Sequence, residues 1–286
     1  MENTLSMATK KSLLVRLLAY PLVQIVLGMV LTFAAVPLTM IIASRLVDKS
    51  YRILWPQLLA AVLVWFGYRF HVRRIEKRQP TELAMPGMAR ELGCGLLLGA
   101  GLVLLTFAVL AVLGVYQFSG VNALNVLLLL PLAELLLVGM AEEMMFRGVV
   151  FGVTERALGS KAAIVISALV FSLAHLPNAG FSLLAIAGLV TYGVLQAALY
   201  LQTRRLWVCI GTHVGWNYCV GQVFSSIVSG HADTGGLLRG ELAGNPMLTG
   251  GAFGVEASLV TVLLLGAAAA YVLRLAFAGA PRTARC

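Results

Sequence analysis

Charge is scarce in this chain of 286 residues, of which only 12% are Asp, Glu, Lys or Arg. A soluble domain carries about 25% charged residues and about 45–50% apolar ones with glycine included. Here Ala, Val, Ile, Leu, Met, Phe, Trp, Tyr and Cys alone make up 60%, beside 29 glycines, and the mean hydropathy is +0.92. So little polar surface cannot cover a water-facing globule, which excludes a soluble, disordered or fibrous chain and leaves the excess apolar area facing lipid. Cysteine is scarce too. Cys94, Cys209, Cys219 and Cys286 show no close paired spacing and three lie in apolar runs, which excludes a disulfide framework and predicts small buried hydrophobes. A net charge of +9 invites a nucleic-acid reading, but the cations sit in short tracts between apolar runs and form no long basic surface, so no nucleic-acid partner is expected. A fixed internal repeat is also missing, which weakens an inverted-repeat transporter.

What is present is a series of apolar runs. Cutting the chain at its charged tracts predicts an all-α, polytopic transmembrane helical bundle of about eight spans, at 19–43, 53–70, 93–115, 123–157, 162–177, 181–201, 206–228 and 256–278. Gly93 to Val115 has no charge and crosses about 34 Å at ~1.5 Å per residue, enough for a bilayer. With the N-terminus cytoplasmic, 17 of the 21 Lys and Arg fall on the inner side, leaving Arg45, Lys49, Arg52 and Arg239 outside. That bias predicts an integral, multi-pass protein with both termini cytoplasmic, and a bacterial plasma membrane is the expected location. The chain divides into an N-terminal two-span region with a cytoplasmic basic loop (1–92), a membrane core (93–228), an external Gly-rich loop that folds as a cap or serves as a flexible linker (229–255), and a last span with a cytoplasmic tail (256–286).

Ionisable residues inside spans are costly and are retained for packing or chemistry. In Ala-Glu-Glu-Met-Met-Phe-Arg-Gly, Glu143 and Arg147 are i, i+4 and can neutralise each other, whereas Glu142 points about 100° away. Measured from the turn at 158–161, Glu142 lies ~22 Å and His175 ~20 Å along adjacent antiparallel helices. From Arg205 the same ruler puts His213 at ~12 Å and Asn217 at ~18 Å. His213 and Asn217 share one helix face, and Gly211 and Gly215 on the opposite side let another backbone come close. These groups suit amide hydrolysis: Glu142 as general base for water, His175 orienting that water, and His213 with Asn217 donating to a tetrahedral oxyanion. A Glu142/His175/His213 set binding Zn²⁺ with an open water position is the alternative, although the compact His-Glu-x-x-His helix signature is absent. Glu134 falls on neither i, i+4 face of the glutamate pair and reads as a helix-contact residue, and Phe171 as a wall one turn before His175.

Glu142-Glu143-x-x-x-Arg147, Phe171-x-x-x-His175 and His213-x-x-x-Asn217, in that order across about 125–228, resemble the CPBP family of intramembrane proteases. That family takes in type II CAAX prenyl endopeptidases and bacteriocin-processing, immunity and lysostaphin-resistance-like proteins. The resemblance implies a CAAX-protease-like core in which Glu142 and His175 activate water and His213 and Asn217 stabilise the oxyanion. Glu143, Arg147 and Phe171 support them. It implies an endopeptidase of membrane-associated or lipidated peptides, with CAAX-type processing in part of the family. It leaves open a zinc metalloprotease or a metal-free glutamate mechanism. Two other functions fit buried Glu and His residues: a proton-coupled transporter, and a non-enzymatic immunity or scaffold protein. Membrane lipid is the partner common to all three.

Overall fold

The computed structural model describes residues 17–231 and 235–279. Helix covers each expected span. The first is α1 (Pro21–Phe33) and α2 (Ala35–Leu46), joined at Ala34. Next come α3 (Trp55–Phe70), running into a π-helical turn at His71–Ile75, and α4 (Met88–Val112). The fourth span is α5 (Pro131–Glu143), a π-helical stretch Met144–Phe151 and α6 (Gly152–Leu158). Then follow α7 (Ser160–Ala174), α8 (Leu183–Thr203), α9 (Leu206–Tyr218) with a π-turn to Val223, and α10 (Leu259–Phe277). Four of these, Pro21–Leu46, Met88–Val112, Leu183–Thr203 and Leu259–Phe277, are long and apolar enough by themselves to cross a membrane. The result is an all-α membrane bundle.

Local chemistry sets the ends. Proline stands at the first positions of α1, α3 and α5, where its missing N–H costs no helical bond. Ser182 and Ser258 cap α8 and α10 through backbone amides. Gly159 at φ +83 makes the turn from α6 to α7. Two boundaries differ from expectation. The third span ends at Val112, and 113–130 is not helical: it holds β1 (Tyr116–Val121) and a 3-10 turn before Pro131 starts α5. The Gly-rich 229–255 segment contributes β2 (Leu238–Leu242), which pairs antiparallel with β1 around an irregularity at Phe118/Gly120. Its other half turns back under Gly230 and Gly254 and packs Phe253 and Val255 into the core. Tyr116 of the ribbon meets the stacked rings of Phe107 and Phe224.

Backbone contacts made possible by glycine hold α9 in place. Gly95 and Gly99 of α4 face Gly211 and Gly215 of α9 so closely that a Cβ on any of the four would strike the other helix's backbone. Gly193 of α8 sits likewise on Ala168 of α7. Cys209 and Cys219 are buried free thiols, whereas Cys94 departs from the expectation for a simple apolar residue, being disulfide-bonded. The two ends of the bundle differ in chemistry. One end is a basic face tied by ion pairs: Arg205 to Glu91 (2.8 Å), Arg156 to Glu76 (2.8 Å), and Arg204 to Glu155. The other carries the β1–β2 ribbon and the 224–258 segment.

Candidate active site

The fourth span supplies the carboxylates. Gly139 lets α5 lie against Val214 and His213 of α9, so the next turn of α5 carries Glu142 and Glu143 up to that helix. Glu143 is fully buried, and one of its oxygens, Oε1, receives three groups: Arg147 Nη1 at 3.1 Å, His213 Nδ1 at 2.8 Å and Gln196 Nε2 at 3.3 Å. Arg147, also fully buried, donates its Nη2 to the Gly193 carbonyl at 3.3 Å and lies 4.7 Å over the Phe171 ring. Glu142 turns the other way. Its side chain is 22% exposed, its Oε2 has no hydrogen-bond partner, and that oxygen stands 3.9 Å from His213 Nε2.

His175 follows the last residue of α7, where the chain leaves the helix toward Pro177 and Asn178. Its Nδ1 lies 2.9 Å from the Phe171 carbonyl, which can only accept, so the proton sits on Nδ1 and Nε2 is left as the acceptor. His213 is oriented in the same manner by the Glu143 carboxylate. Its Nε2 is an acceptor in the neutral ring and a donor in the imidazolium.

Glu142, His175, His213 and Asn217 all line one cavity of about 810 Å³. Its walls are mostly apolar, from Met29, Val30 and Phe33 of α1, Leu135 and Val138 of α5, and Phe146 and Phe171. Phe171 is thus a wall, and Glu134 is an exposed residue on the cavity lining. Among the described residues no group of three or more His, Cys, Asp or Glu side chains is placed to hold a metal ion. The Glu142/His175/His213 zinc set therefore shares a cavity without forming a ligand cluster.

Three residues of the site were not singled out from the sequence. Gln196 donates to Glu143, to the Tyr192 hydroxyl at 2.9 Å and to the Cys209 carbonyl at 3.1 Å. Tyr192, one turn earlier on α8, places its ring 5.7 Å from His213, 5.8 Å from Phe171 and 5.8 Å from Trp216. The signal was an amide and a hydroxyl at i, i+4 within an apolar run. Glu256 lies just before α10 and accepts from Trp216 Nε1 at 2.9 Å and from the Ser229 hydroxyl at 2.6 Å. It fixes the indole between His213 and Asn217 in sequence, yet it belongs to the loop at the start of the last span.

No curated protein and no solved structure matches the chain. Residues 123–219 match a family model, Type II CAAX prenyl endopeptidase Rce1-like. The matched segment begins before α5 and ends just past Asn217, so it contains all three polar motifs and the helices that bring them together. Over that segment the chain is similar to the Rce1-like type II CAAX prenyl endopeptidases, in line with the resemblance to CPBP-family intramembrane proteases read from its motifs.

Proposed function

We propose that the protein is an endopeptidase that hydrolyses peptide bonds of membrane-associated or lipidated peptides by a glutamate-activated water. The observation that carries this reading is the meeting of Glu142, His175, His213 and Asn217 in one cavity within the family-matched segment. Of the paired carboxylates only Glu142 lines the cavity, and its Oε2 accepts no hydrogen bond, as suits a general base for water. Water held between Glu142 and the acceptor Nε2 of His175 attacks the carbonyl carbon and gives its proton to Glu142. Negative charge then develops on the carbonyl oxygen, and the Asn217 amide and Nε2–H of protonated His213 donate to it. As the C–N bond breaks, Glu142 returns the proton to the leaving amine. Glu143, Arg147 and Gln196 touch no reacting atom and act by positioning His213.

The matched family is described as type II CAAX prenyl endopeptidase, so CAAX-type processing is one form the activity could take. The apolar walls of the cavity are compatible with a lipidated segment in general. We further propose a multi-pass placement with both termini cytoplasmic, from the distribution of Lys and Arg, and a bacterial plasma membrane as the location. The test is cleavage of an acyl-anchored, internally quenched peptide by reconstituted protein. Glu142→Ala and His175→Ala should each remove turnover while the protein stays folded in micelles. Retained turnover in both variants overturns the mechanism. Full biological activity of Glu142→Gln would instead support a non-enzymatic role.

A further inference from the structure

The cavity has one polar end, and it is the end away from the basic face. Asn178, Ser226, Ser229, His231 and Glu256 rim it, all on the ribbon side of the bundle. Asn178 Nδ2 donates to the Ser229 carbonyl at 2.8 Å and Ser229 to Glu256, so the rim is a built structure. No residue of the basic-face ion pairs lines the cavity. The Tyr68 ring lies against Gly148, and its hydroxyl donates to Glu82. Arg78 binds Glu82 at 2.8 Å, and Glu76 binds His71 at 3.0 Å and Arg156 at 2.8 Å. None of these residues lines the cavity.

Lys and Arg decide which end is which. Among the described residues eleven lie on the basic face, including the exposed Arg73, Arg74, Lys77 and Lys161, against Arg45, Lys49, Arg52 and Arg239 on the ribbon face. Such asymmetry around short loops orients a helical membrane protein with its cation-rich face in the cytoplasm. We infer that the cavity opens to the extracytoplasmic face, and that it receives the extracytoplasmic juxtamembrane segment of a membrane-anchored polypeptide. The nature of that guest as a cleaved substrate rests on the proposed function; the side from which it enters does not. Charge narrows the guest further. Glu134, Glu142 and Glu256 line the cavity, and among its described lining residues there is no Lys or Arg. A terminal carboxylate finds no Lys or Arg there, and the His213 imidazole is already set between Glu142 and Glu143, so an internal, neutral or basic segment is preferred.

The experiment labels introduced cysteines with a membrane-impermeant maleimide in sealed spheroplasts, each compared with the parent chain and its four native cysteines. His231→Cys, exposed at the rim, should label without permeabilisation, and Lys161→Cys only after it. Met247→Cys and Arg73→Cys repeat the comparison at other exposed positions of the two faces, should either first variant fail to fold. The reverse pattern overturns the inference. In parallel, an acyl-anchored, Lys-flanked quenched peptide is added to sealed spheroplasts and to sealed inverted vesicles. Cleavage by spheroplasts, and by inverted vesicles only once opened, is expected; cleavage by sealed inverted vesicles alone overturns it. Labelling as expected with no cleavage even after permeabilisation upholds the side of entry and defeats the peptidase reading instead.

Discussion

Adjacent glutamates in one span meet opposite surroundings because a helix turns about 100° between them. Glu143 is locked by Arg147, His213 and Gln196, all on one oxygen. A buried carboxylate without its cation is far more costly than the pair, so Arg147→Met should destabilise the protein by about 3–5 kcal/mol, and Glu143→Gln combined with it should cost less than the two changes summed. Reversible unfolding in mixed micelles measures this; a loss below about 1 kcal/mol for Arg147→Met would show that the pair holds nothing. Arg147→Lys should not rescue, because a single ammonium cannot serve Glu143 and the Gly193 carbonyl as the guanidinium fork does. Gln196 offers a milder case. Gln196→Leu keeps much of the volume but removes the amide from Glu143, Tyr192 and Cys209, and the side chain does not reach the cavity. We expect kcat to fall about tenfold with KM unchanged, the cost of one or two hydrogen bonds in positioning; an effect confined to KM would place Gln196 in substrate binding.

Helices deliver these side chains, and at the scale of elements glycine governs the delivery. Gly211→Ala would push α9 off Leu92 and Gly95 of α4 and carry His213 with it, whereas a Cβ on Gly101 meets nothing within 4 Å. Gly211→Ala should therefore cost about 1–3 kcal/mol and most of the activity, while Gly101→Ala should be neutral or slightly stabilising in the same micelle unfolding assay. Equal effects would mean that the close α4–α9 contact is not what fixes the site. The ion-pair cluster of the basic face has its own signature. Burial pushes the Glu76 carboxyl up, but the hydrogen bond from His71 and the charges of Arg78 and Arg156 outweigh it and hold the group below the ordinary carboxylate range. A folded-state value below the unfolded one gives stability that is present above the unfolded value and lost as the pH falls through the folded one. Melting temperature should thus drop as the pH is lowered beneath the normal carboxylate range, and Glu76→Gln should flatten that part of the profile; an unchanged profile would sink the assignment. Apolar run length and the cation tracts made the eight helical segments legible, and i, i+4 spacing separated the partners of Glu143 from those of Glu142. The π-helical stretch at Met144–Phe151 was not legible, because a shift from i+4 to i+5 bonding answers to tertiary packing. Nor was the ribbon: Leu238–Leu242 pairs with a segment more than a hundred residues away, and its Gly-rich surroundings carry no strand period. Gln196 and Glu256 were hidden for different reasons, one being uncharged and the other lying at the boundary of a span.

At the scale of the whole molecule the bundle is uneven in height, and the short side is the side of the site. α7, of 15 residues, rises only ~22 Å, against a hydrocarbon core of ~30 Å. Its Val165, Leu169 and Leu173 are exposed, so this short apolar face meets lipid directly. The chain leaves α7 at His175, and the polar rim of the cavity begins with Asn178. A bilayer that matched α4, with 25 residues, would rise past the end of α7 and put acyl chains where the rim needs water. The membrane must thin around α7 or the helix must shift, at a cost of fractions of a kcal/mol for each ångström of mismatch. Water reaching Glu142 enters through that rim, so thickness should act on turnover more than on folding. In vesicles of monounsaturated phosphatidylcholines of 14, 18 and 22 carbons, cleavage of the acyl-anchored peptide should be fastest in the thinnest bilayer and several-fold slower in the thickest, with little change in melting temperature. A flat profile, or one that rises with chain length, would mean that the active centre draws its water from the basic face and that the cluster of Tyr68, Glu82 and Arg78 is no barrier.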